Sequence, residues 1–278
     1  MDRFVCISGS DGLQIPSDLL ETMGITEPVQ LHLDCANLVR AARSREQGGW
    51  VRLPLCNTLL GEALGACPTF SASGARIREA PWARPEQLPA CPDFTLPRMD
   101  AMLRAVETLA GEGAWVAYGI EGPFSLLCAL LPMGRVFSAL RKPVGAEMLA
   151  RAEDWVVMYA SEAVARGAKL ISFADPVATL DILGERVFTA SYVPSLRRVL
   201  ERIAREHPHI PVHLCGKLTQ SLLDAGCCTA RQLDSADASA TYGQTLRHYA
   251  ACGSGGVVGH FCLNFLDAKR PYVKAIEF

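Results

Sequence analysis

The sequence predicts an α/β fold, a single (β/α)₈ barrel of the TIM type, and two observations carry that prediction. From residue 51 onward, short apolar runs alternate with stretches of helical spacing, which is typical of a parallel sheet with helices outside it. About seven candidate strands follow one another without a linker or an internal repeat, which favours a barrel over a smaller open sheet. We therefore expect one domain over residues 1–278, with an N-terminal helical cap at 1–50 and the barrel at 51–278.

The elements of the cap are short. Ser17 is a candidate N-cap for a helix at residues 18–23, since serine side chains commonly satisfy the first backbone N–H groups of a helix. A second helix is predicted at 33–43. Residues 66–97 contain prolines at 81, 85, 89, 92 and 97, which predict a long irregular excursion, either functional or a surface wrap.

The barrel elements follow from periodicity. Predicted strands are short apolar runs bounded by turn residues, and they cover residues 51–55, 114–120, 169–174, 210–216, 229–233, 256–262 and 272–278. Predicted helices place apolar residues on one face, and they cover residues 98–109, 125–131, 146–165, 195–206, 217–225 and 238–251.

The composition is that of a globular protein, with half of its 278 residues hydrophobic and 20% charged. Its 27 basic residues balance 29 acidic ones without a basic run, so we expect no nucleic-acid partner and no anionic membrane. No apolar run reaches the ~18 residues of a membrane span, and the N-terminus lacks the features of a signal peptide. The 11 cysteines are scattered, which argues against a secreted disulfide framework. We expect a cytoplasmic protein.

One predicted strand carries the clearest chemical motif, His213-Leu214-Cys215. Because side chains alternate along a strand, His213 and Cys215 face the same side. An imidazole and a thiol on one face, at the end of a strand, form half of a tetrahedral zinc site. A core histidine beside a buried free cysteine explains the same spacing, and the two interpretations stay open on spacing alone.

Polar residues also end other predicted strands. In (β/α)₈ barrels the chemistry lies at the C-terminal ends of the strands, and here these ends carry Glu121, Asp175, Asp234 and residues 260–264. Asp175 and Glu121 are candidate catalytic residues, although a carboxylate that caps the following loop explains each of them about equally well. Asp234 is a candidate partner for a metal-ligating imidazole, or a turn residue.

Three motifs resemble the uroporphyrinogen decarboxylase superfamily in order and rough spacing. They are Glu-Gly-Pro-Phe-Ser at residues 121–125, Ala-Asp-Pro-Val-Ala at 174–178 and Val-His-Leu-Cys-Gly at 212–216. The resemblance runs from about residue 51 to at least 234. The His-x-Cys-Gly form is similar to the zinc-dependent branch, the methylcobamide:coenzyme M methyltransferases and their tetrahydrofolate-using relatives. The resemblance implies a TIM barrel, a catalytic zinc ion and methyl transfer from a corrinoid.

The resemblance also implies a set of metal ligands. In this branch the zinc is bound by the histidine and cysteine of His-x-Cys and by a distant cysteine on a late strand, which implies His213, Cys215 and Cys262. Cys262 lies only 47 residues after Cys215 and the chain ends earlier than typical members, so the barrel is expected to be abbreviated at its C-terminal end. Residues 256–264 are also compatible with the family's penultimate strand. Alternative ligands are Cys228, Cys252 and His260.

The predicted function is a zinc-dependent methyltransferase that moves a methyl group from a methylated corrinoid (cobalamin) on a corrinoid protein to a thiol or tetrahydrofolate acceptor. Two cysteine thiolates and a neutral histidine leave Zn²⁺ formally uncharged, so a bound substrate thiolate stays nucleophilic. Three protein ligands also leave the fourth position open for a small-molecule acceptor. Assembly as a homodimer is left open.

Two alternatives are kept beside this prediction. The first is a lyase similar to uroporphyrinogen decarboxylase that needs no metal, although the arginine-rich motif of the decarboxylases is not visible in residues 1–60. Arginines in that region are interpreted as an exposed helix end: Arg40, Arg43 and Arg45. The second is a non-catalytic barrel that binds a corrinoid or a protein partner.

Overall fold

A seven-stranded sheet forms the centre of the molecule. The computed structural model describes Ile15 and residues 17–71, 74–253 and 255–278, so residues 1–14 and 16 of the predicted cap lie outside the described residues. The strands are β1 Val51–Leu53, β2 Pro68–Ser71, β3 Gly74–Ile77, β4 Val116–Glu121, β5 Leu170–Ala174, β6 Pro211–Cys215, β7 Thr229–Asp234, β8 Gly256–Phe261 and β9 Tyr272–Glu277.

The helices occupy most of the intervening chain. They are α1 Ser17–Thr22, α2 Gln30–Leu33, α3 Cys35–Arg43, α4 Leu59–Ala63, α5 Pro97–Gly111, α6 Pro123–Leu130, α7 Met133–Ala139, α8 Pro143–Ala165, α9 Leu180–Val187, α10 Val193–Glu206, α11 Gly216–Asp224 and α12 Tyr242–Ala251. Among the described residues, no helix combines the length and the apolar character that a membrane span requires.

The strand order in the sheet is β1-β4-β5-β6-β8-β9-β7, and its first five strands are parallel. Most residues of strands β4, β5 and β6 are buried and none is exposed, as expected for parallel strands covered on both faces. The C-terminal ends of these strands meet at one edge of the sheet. The predicted alternation of strands and helices around a parallel sheet is therefore confirmed.

The sheet curls so that its first strand approaches the chain that follows β8. Arg52 on β1 donates hydrogen bonds to the carbonyl of Leu263 at 3.0 Å and to Oδ1 of Asn264 at 2.6 Å. Trp50, just before β1, donates from its indole nitrogen to the carbonyl of Gly243 at 2.9 Å. Within the described residues β1 forms a ladder with β4 alone, so side-chain contacts, and not a strand ladder, join β1 to the segment after β8.

Strand β7 departs from the predicted parallel series. It lies at the outer edge of the sheet and pairs antiparallel with β9, while β8 takes the place beside β6. The sequence of β7, Thr-Ala-Arg-Gln-Leu-Asp, leaves four of its six residues exposed and none of them buried. An inner parallel strand needs apolar residues on both faces, and β7 does not supply them.

Two further differences concern loops. Residues 66–97, predicted to be irregular, contain the antiparallel hairpin of β2 and β3. Between β5 and α10 the chain forms α9 and one π-helical turn at Phe188–Tyr192, neither of which the periodicity indicates.

Candidate active site

A cavity of about 300 Å³ opens at the C-terminal ends of β1, β4, β5 and β6 and is closed by the segment after β8. The three predicted metal ligands, His213, Cys215 and Cys262, all line it. His213 and Cys215 share one face of β6, as the period of two predicts. Cys262 comes from the segment that Arg52 joins to β1.

His213 is 1% exposed, and burial lowers its pKa to about 4, so the imidazole is neutral at neutral pH. Its Nε2 lies 2.9 Å from the hydroxyl of Tyr242, whereas its buried Nδ1 has no hydrogen-bond partner. The tautomer in which Nε2–H donates to the Tyr242 oxygen leaves the Nδ1 lone pair available to a metal ion. Burial without a partner is costly for such an atom, so Nδ1 marks a candidate ligand position.

Tyr242, at the start of α12, has the contact that the sequence suggested for Asp234. Asp234 is exposed on the edge strand and accepts a hydrogen bond from Gln232 at 2.6 Å. The suggestion that Asp234 orients the imidazole is therefore wrong, because β7 lies outside β9 and not beside β6. A tyrosine on a helix 29 residues after His213 has no sequence signal that would have identified it.

The two thiols enter the cavity differently. Cys215 is the last residue of β6, whereas Cys262 follows β8 and its sulfur accepts a hydrogen bond from the backbone N–H of Asn264 at 3.5 Å. Burial lowers the pKa of Arg52, and the charges of Cys262 and Asp267 oppose that shift. Across the described residues, no three His, Cys, Asp or Glu side chains come close enough together to hold a metal ion.

The alternative ligands do not line this cavity. Cys252 is exposed at the end of α12. Cys228 is buried just before β7, where burial raises the pKa of its thiol to about 11. The ring nitrogens of His260 are bound to Gln220 and Lys274, each at 3.0 Å.

Asp175 follows β5, is 1% exposed, and caps the neighbouring helix α6. Its carboxylate accepts hydrogen bonds from the N–H and hydroxyl of Ser125, at 2.7 and 2.5 Å, and from the N–H of Phe124 at 3.1 Å. A Cβ on Gly122 would collide with this carboxylate, so the turn before α6 requires glycine. Tyr192 lies near enough to affect the pKa of Asp175, although its hydroxyl makes no well-aligned hydrogen bond.

Glu121 and Asp175 form a coupled carboxyl pair. Burial raises the pKa of Asp175 to about 6, against the hydrogen bonds from Ser125 that lower it. Burial and the charge of Asp175 raise the pKa of Glu121 to about 8, so Glu121 is mostly protonated at neutral pH. Neither carboxyl is among the residues that line the cavity, although on β4 Glu121 shares a face with Ala117 and Gly119, which do line it. Asp175 lies on the opposite face of β5 from its cavity-lining residues.

Two arginines add positive charge to the same cavity, which both Arg45 and Arg52 line. Burial, followed by the charge of Arg52, lowers the pKa of Arg45 to about 10. The interpretation of Arg45 as part of an exposed helix end is therefore wrong, because it lies beyond the end of α3 and turns toward the sheet. Two neighbouring guanidinium groups favour an anionic group between or beside them.

Comparisons with known proteins show the family of the chain. The family model "Uroporphyrinogen decarboxylase (URO-D)" matches residues 34–258. The methylcobamide:CoM methyltransferase MtaA of Methanosarcina barkeri is 27% identical over 188 residues, which cover 64% of this chain and 54% of that protein. The MtaA of M. barkeri strain Fusaro gives the same identity and coverage. The chain thus spans about half the length of the curated relatives it matches.

The solved structure of a "methyltransferase from Methanosarcina mazei" superposes with a TM-score of 0.65 at 20% sequence identity, over 77% of this chain and 66% of that one. At that identity the likeness concerns the fold, and it confirms the α/β fold of the TIM-barrel class. The family match and the curated relatives confirm the resemblance inferred from the three motifs. The chain belongs to the uroporphyrinogen decarboxylase family.

Proposed function

We propose that the protein is a zinc-dependent methyltransferase that takes a methyl group from a methylated corrinoid and passes it to a thiol or tetrahydrofolate acceptor. The observation that carries the proposal is the convergence of His213, Cys215 and Cys262 on one cavity at the C-terminal ends of the strands. Family relatives named as methylcobamide:CoM methyltransferases support the reaction class.

The donor set fits zinc. One imidazole nitrogen and two thiols are common zinc ligands, and the buried Nδ1 of His213 has no hydrogen-bond partner. Because the described side chains are not gathered into a three-ligand cluster, loading has to draw the segment carrying Cys262 closer to β6. When bound, zinc supplies a site that keeps an acceptor thiol in its thiolate form.

Other residues in or beside the cavity have proposed roles in binding the acceptor. Arg45 and Arg52 hold an anionic part of the acceptor and orient it toward the thiols. Glu121, protonated at neutral pH because its pKa is raised to about 8, donates a hydrogen bond to the acceptor and is not a base there. Asp175 acts through Glu121, whose pKa it raises, and through the cap of α6.

The size of the cavity bears on the two substrates. About 300 Å³ lies at the lower end of the range for small-molecule pockets, which suits a small thiol better than tetrahydrofolate. A corrinoid is too bulky to enter beside such an acceptor. We propose that a partner corrinoid protein presents the methylated corrinoid at the mouth of the cavity.

Elemental analysis of protein purified without added metal tests this function. We expect about one zinc ion per chain in the wild type and its loss in His213→Ala, together with loss of methyl transfer from methylcobalamin to a small thiol. A wild-type protein that folds, holds no zinc and takes up none on addition would contradict the proposal.

One observation favours a second candidate, a metal-free or non-catalytic barrel that binds a corrinoid or a protein partner. This observation is the absence of a three-ligand cluster within the described residues. The same elemental analysis separates the two candidates, because the second one predicts no bound zinc. It also predicts that the binding of methylcobalamin or of a partner protein is unchanged in His213→Ala.

A further inference from the structure

Strand β8 is distorted just before it reaches Cys262. Its residues pair regularly with β6 up to Val258, opposite His213, and then the register shifts so that Phe261 lies opposite Cys215. His260, inside the shift, has a φ of 64°, and among the described residues it is the only non-glycine with positive φ. Such a conformation is uncommon for a residue with a Cβ, and a bulge of this kind bends a strand and redirects its end.

Hydrogen bonds on two sides hold the His260 side chain in this conformation. Lys274 Nζ lies 3.0 Å from Nδ1, and Oε1 of Gln220 lies 3.0 Å from Nε2. Since a lysine ammonium only donates, Nδ1 accepts and Nε2–H donates to the amide oxygen.

Thr219 on α11 joins this bulge to the end of β6. Its hydroxyl accepts a hydrogen bond from the backbone N–H of His260 at 3.3 Å and donates one to the carbonyl of Cys215 at 3.1 Å. Thr219 is fully buried. A Cβ on Gly259 would lie 2.7 Å from the Thr219 hydroxyl oxygen, so the strand approaches as closely as it does because residue 259 is glycine.

The register shift changes the level of Cys262 along the sheet. Two residues of β8, Gly259 and His260, occupy the space opposite Leu214 alone. A regular strand would therefore carry Cys262 one residue, about 3.3 Å, farther beyond the level of Cys215. The bulge places both thiols at the same cavity.

We infer that Thr219 and His260 are positioning residues that set the Cys262 thiol relative to His213 and Cys215. The inference deepens the proposed function and rests on it for the use of Cys262 as a ligand. The placement of the thiol itself can be measured without any metal.

The first experiment compares Thr219→Val, which keeps the shape and removes the hydroxyl, with Thr219→Ser, which keeps the hydroxyl. Native protein is alkylated with iodoacetamide, and the rate at each cysteine is read by peptide mass spectrometry. We expect Thr219→Val to change the rate at Cys262 by about threefold or more, the factor that corresponds to one lost hydrogen bond. Thr219→Ser should stay near the wild-type rate, and the exposed Cys91 should react equally in all variants.

A second pair of variants tests the backbone conformation. His260→Gly tolerates a positive φ, whereas the β-branched His260→Val does not. We expect the alkylation rate at Cys262 to stay closer to the wild-type value in His260→Gly than in His260→Val. If the valine variants do not fold, Lys274→Met is a milder substitute that removes one hydrogen bond at a partly exposed site. It should shift the alkylation rate at Cys262 in the same direction as Thr219→Val.

Cobalt absorption provides the readout that a merely structural role would not change. In Co²⁺-loaded protein, Thr219→Val should lose the same part of the thiolate-to-cobalt absorption as Cys262→Ser, and Thr219→Ser should restore it. Folded Thr219→Val and His260→Val proteins with wild-type alkylation at Cys262 would overturn the inference. A wild-type protein that takes up no metal would overturn the proposed function instead, and the alkylation rates would still decide the positioning.

Discussion

Strands β6 and β8 lie side by side, and each leads to a thiol at the same cavity, but they do so in different ways. In β6 the regular alternation of a buried strand places His213 and Cys215 on one face. In β8 the strand is bulged at His260, and Cys262 lies beyond its end. The comparison teaches that a site residue on a regular strand can be located from its spacing, whereas one that follows a bulge depends on contacts with other elements.

The largest effect on zinc binding and methyl transfer is expected from a substitution on the regular strand, β6. Cys215→Ser removes a thiol from the end of β6, and we expect loss of zinc and a decrease in methyl transfer of more than about a hundredfold, since even residues that only support ligands contribute 10- to 100-fold. Elemental analysis and a methylcobalamin assay measure the two effects.

The matched control is Cys128→Ala in α6. Burial, followed by the charges of Asp175 and Glu121, raises the pKa of the Cys128 thiol to about 12, so it is not a thiolate ligand. We expect this variant to keep its zinc and its activity with only a loss of stability. Equal losses in Cys128→Ala and Cys215→Ser would show that the effect is general destabilisation.

Cys262→Ser tests whether the two sides are equivalent. If Cys262 completes the ligand set, its replacement should reduce zinc content and methyl transfer about as much as Cys215→Ser does. Retained zinc in Cys262→Ser, with zinc lost in Cys215→Ser, would mean that only β6 contributes ligands and that another group completes the site. Zinc titration with a competing chelator makes the comparison quantitative.

A smaller effect is expected from the partner of the imidazole. Tyr242→Phe keeps the ring that packs on Phe261 and removes the hydroxyl 2.9 Å from His213 Nε2. We expect zinc affinity to fall by roughly 10- to 100-fold, measured by chelator competition. Asp234→Asn is the control, because Asp234 lies on the edge strand. An equal loss of zinc affinity in Asp234→Asn would show that the loss in Tyr242→Phe does not come from the missing hydroxyl.

The smallest effect concerns the carboxyl pair on the other side of β6. The ordinary pKa of 4.5 is raised in Glu121 to about 8, so between these pH values the folded protein holds a proton that the unfolded chain releases. The free energy of unfolding therefore falls as the pH rises through this range. Asp175 contributes in the same direction between 3.8 and about 6.

Glu121→Gln removes one of these titrations. We expect its melting temperature to fall less than that of the wild type as the pH rises from 4.5 to 8, and to exceed the wild-type value at the alkaline end. Melting curves at a series of pH values measure this. Parallel profiles for the two proteins would indicate that Glu121 is not buried as a neutral acid.

The sequence predicts the fold better than it predicts the site. Strands β4, β5 and β6 and helix α8 follow from apolar runs and periodicity, because burial on both faces of a parallel sheet demands apolar residues. At the site, the sequence predicts that His213 and Cys215 share a face. It does not identify Tyr242, whose contact with His213 joins residues from different elements.

What the sequence by itself determined is local: the type of most elements, the face that each strand residue occupies, and the three motifs that carry the family resemblance. Only the tertiary structure decided that β8 lies beside β6 with β7 at the edge, and that Arg45 turns toward the cavity. The same holds for Thr219, which links the bulge at His260 to Cys215. The physical reason is that periodicity acts along one element, whereas strand order and register depend on which apolar surfaces pack together across the whole chain.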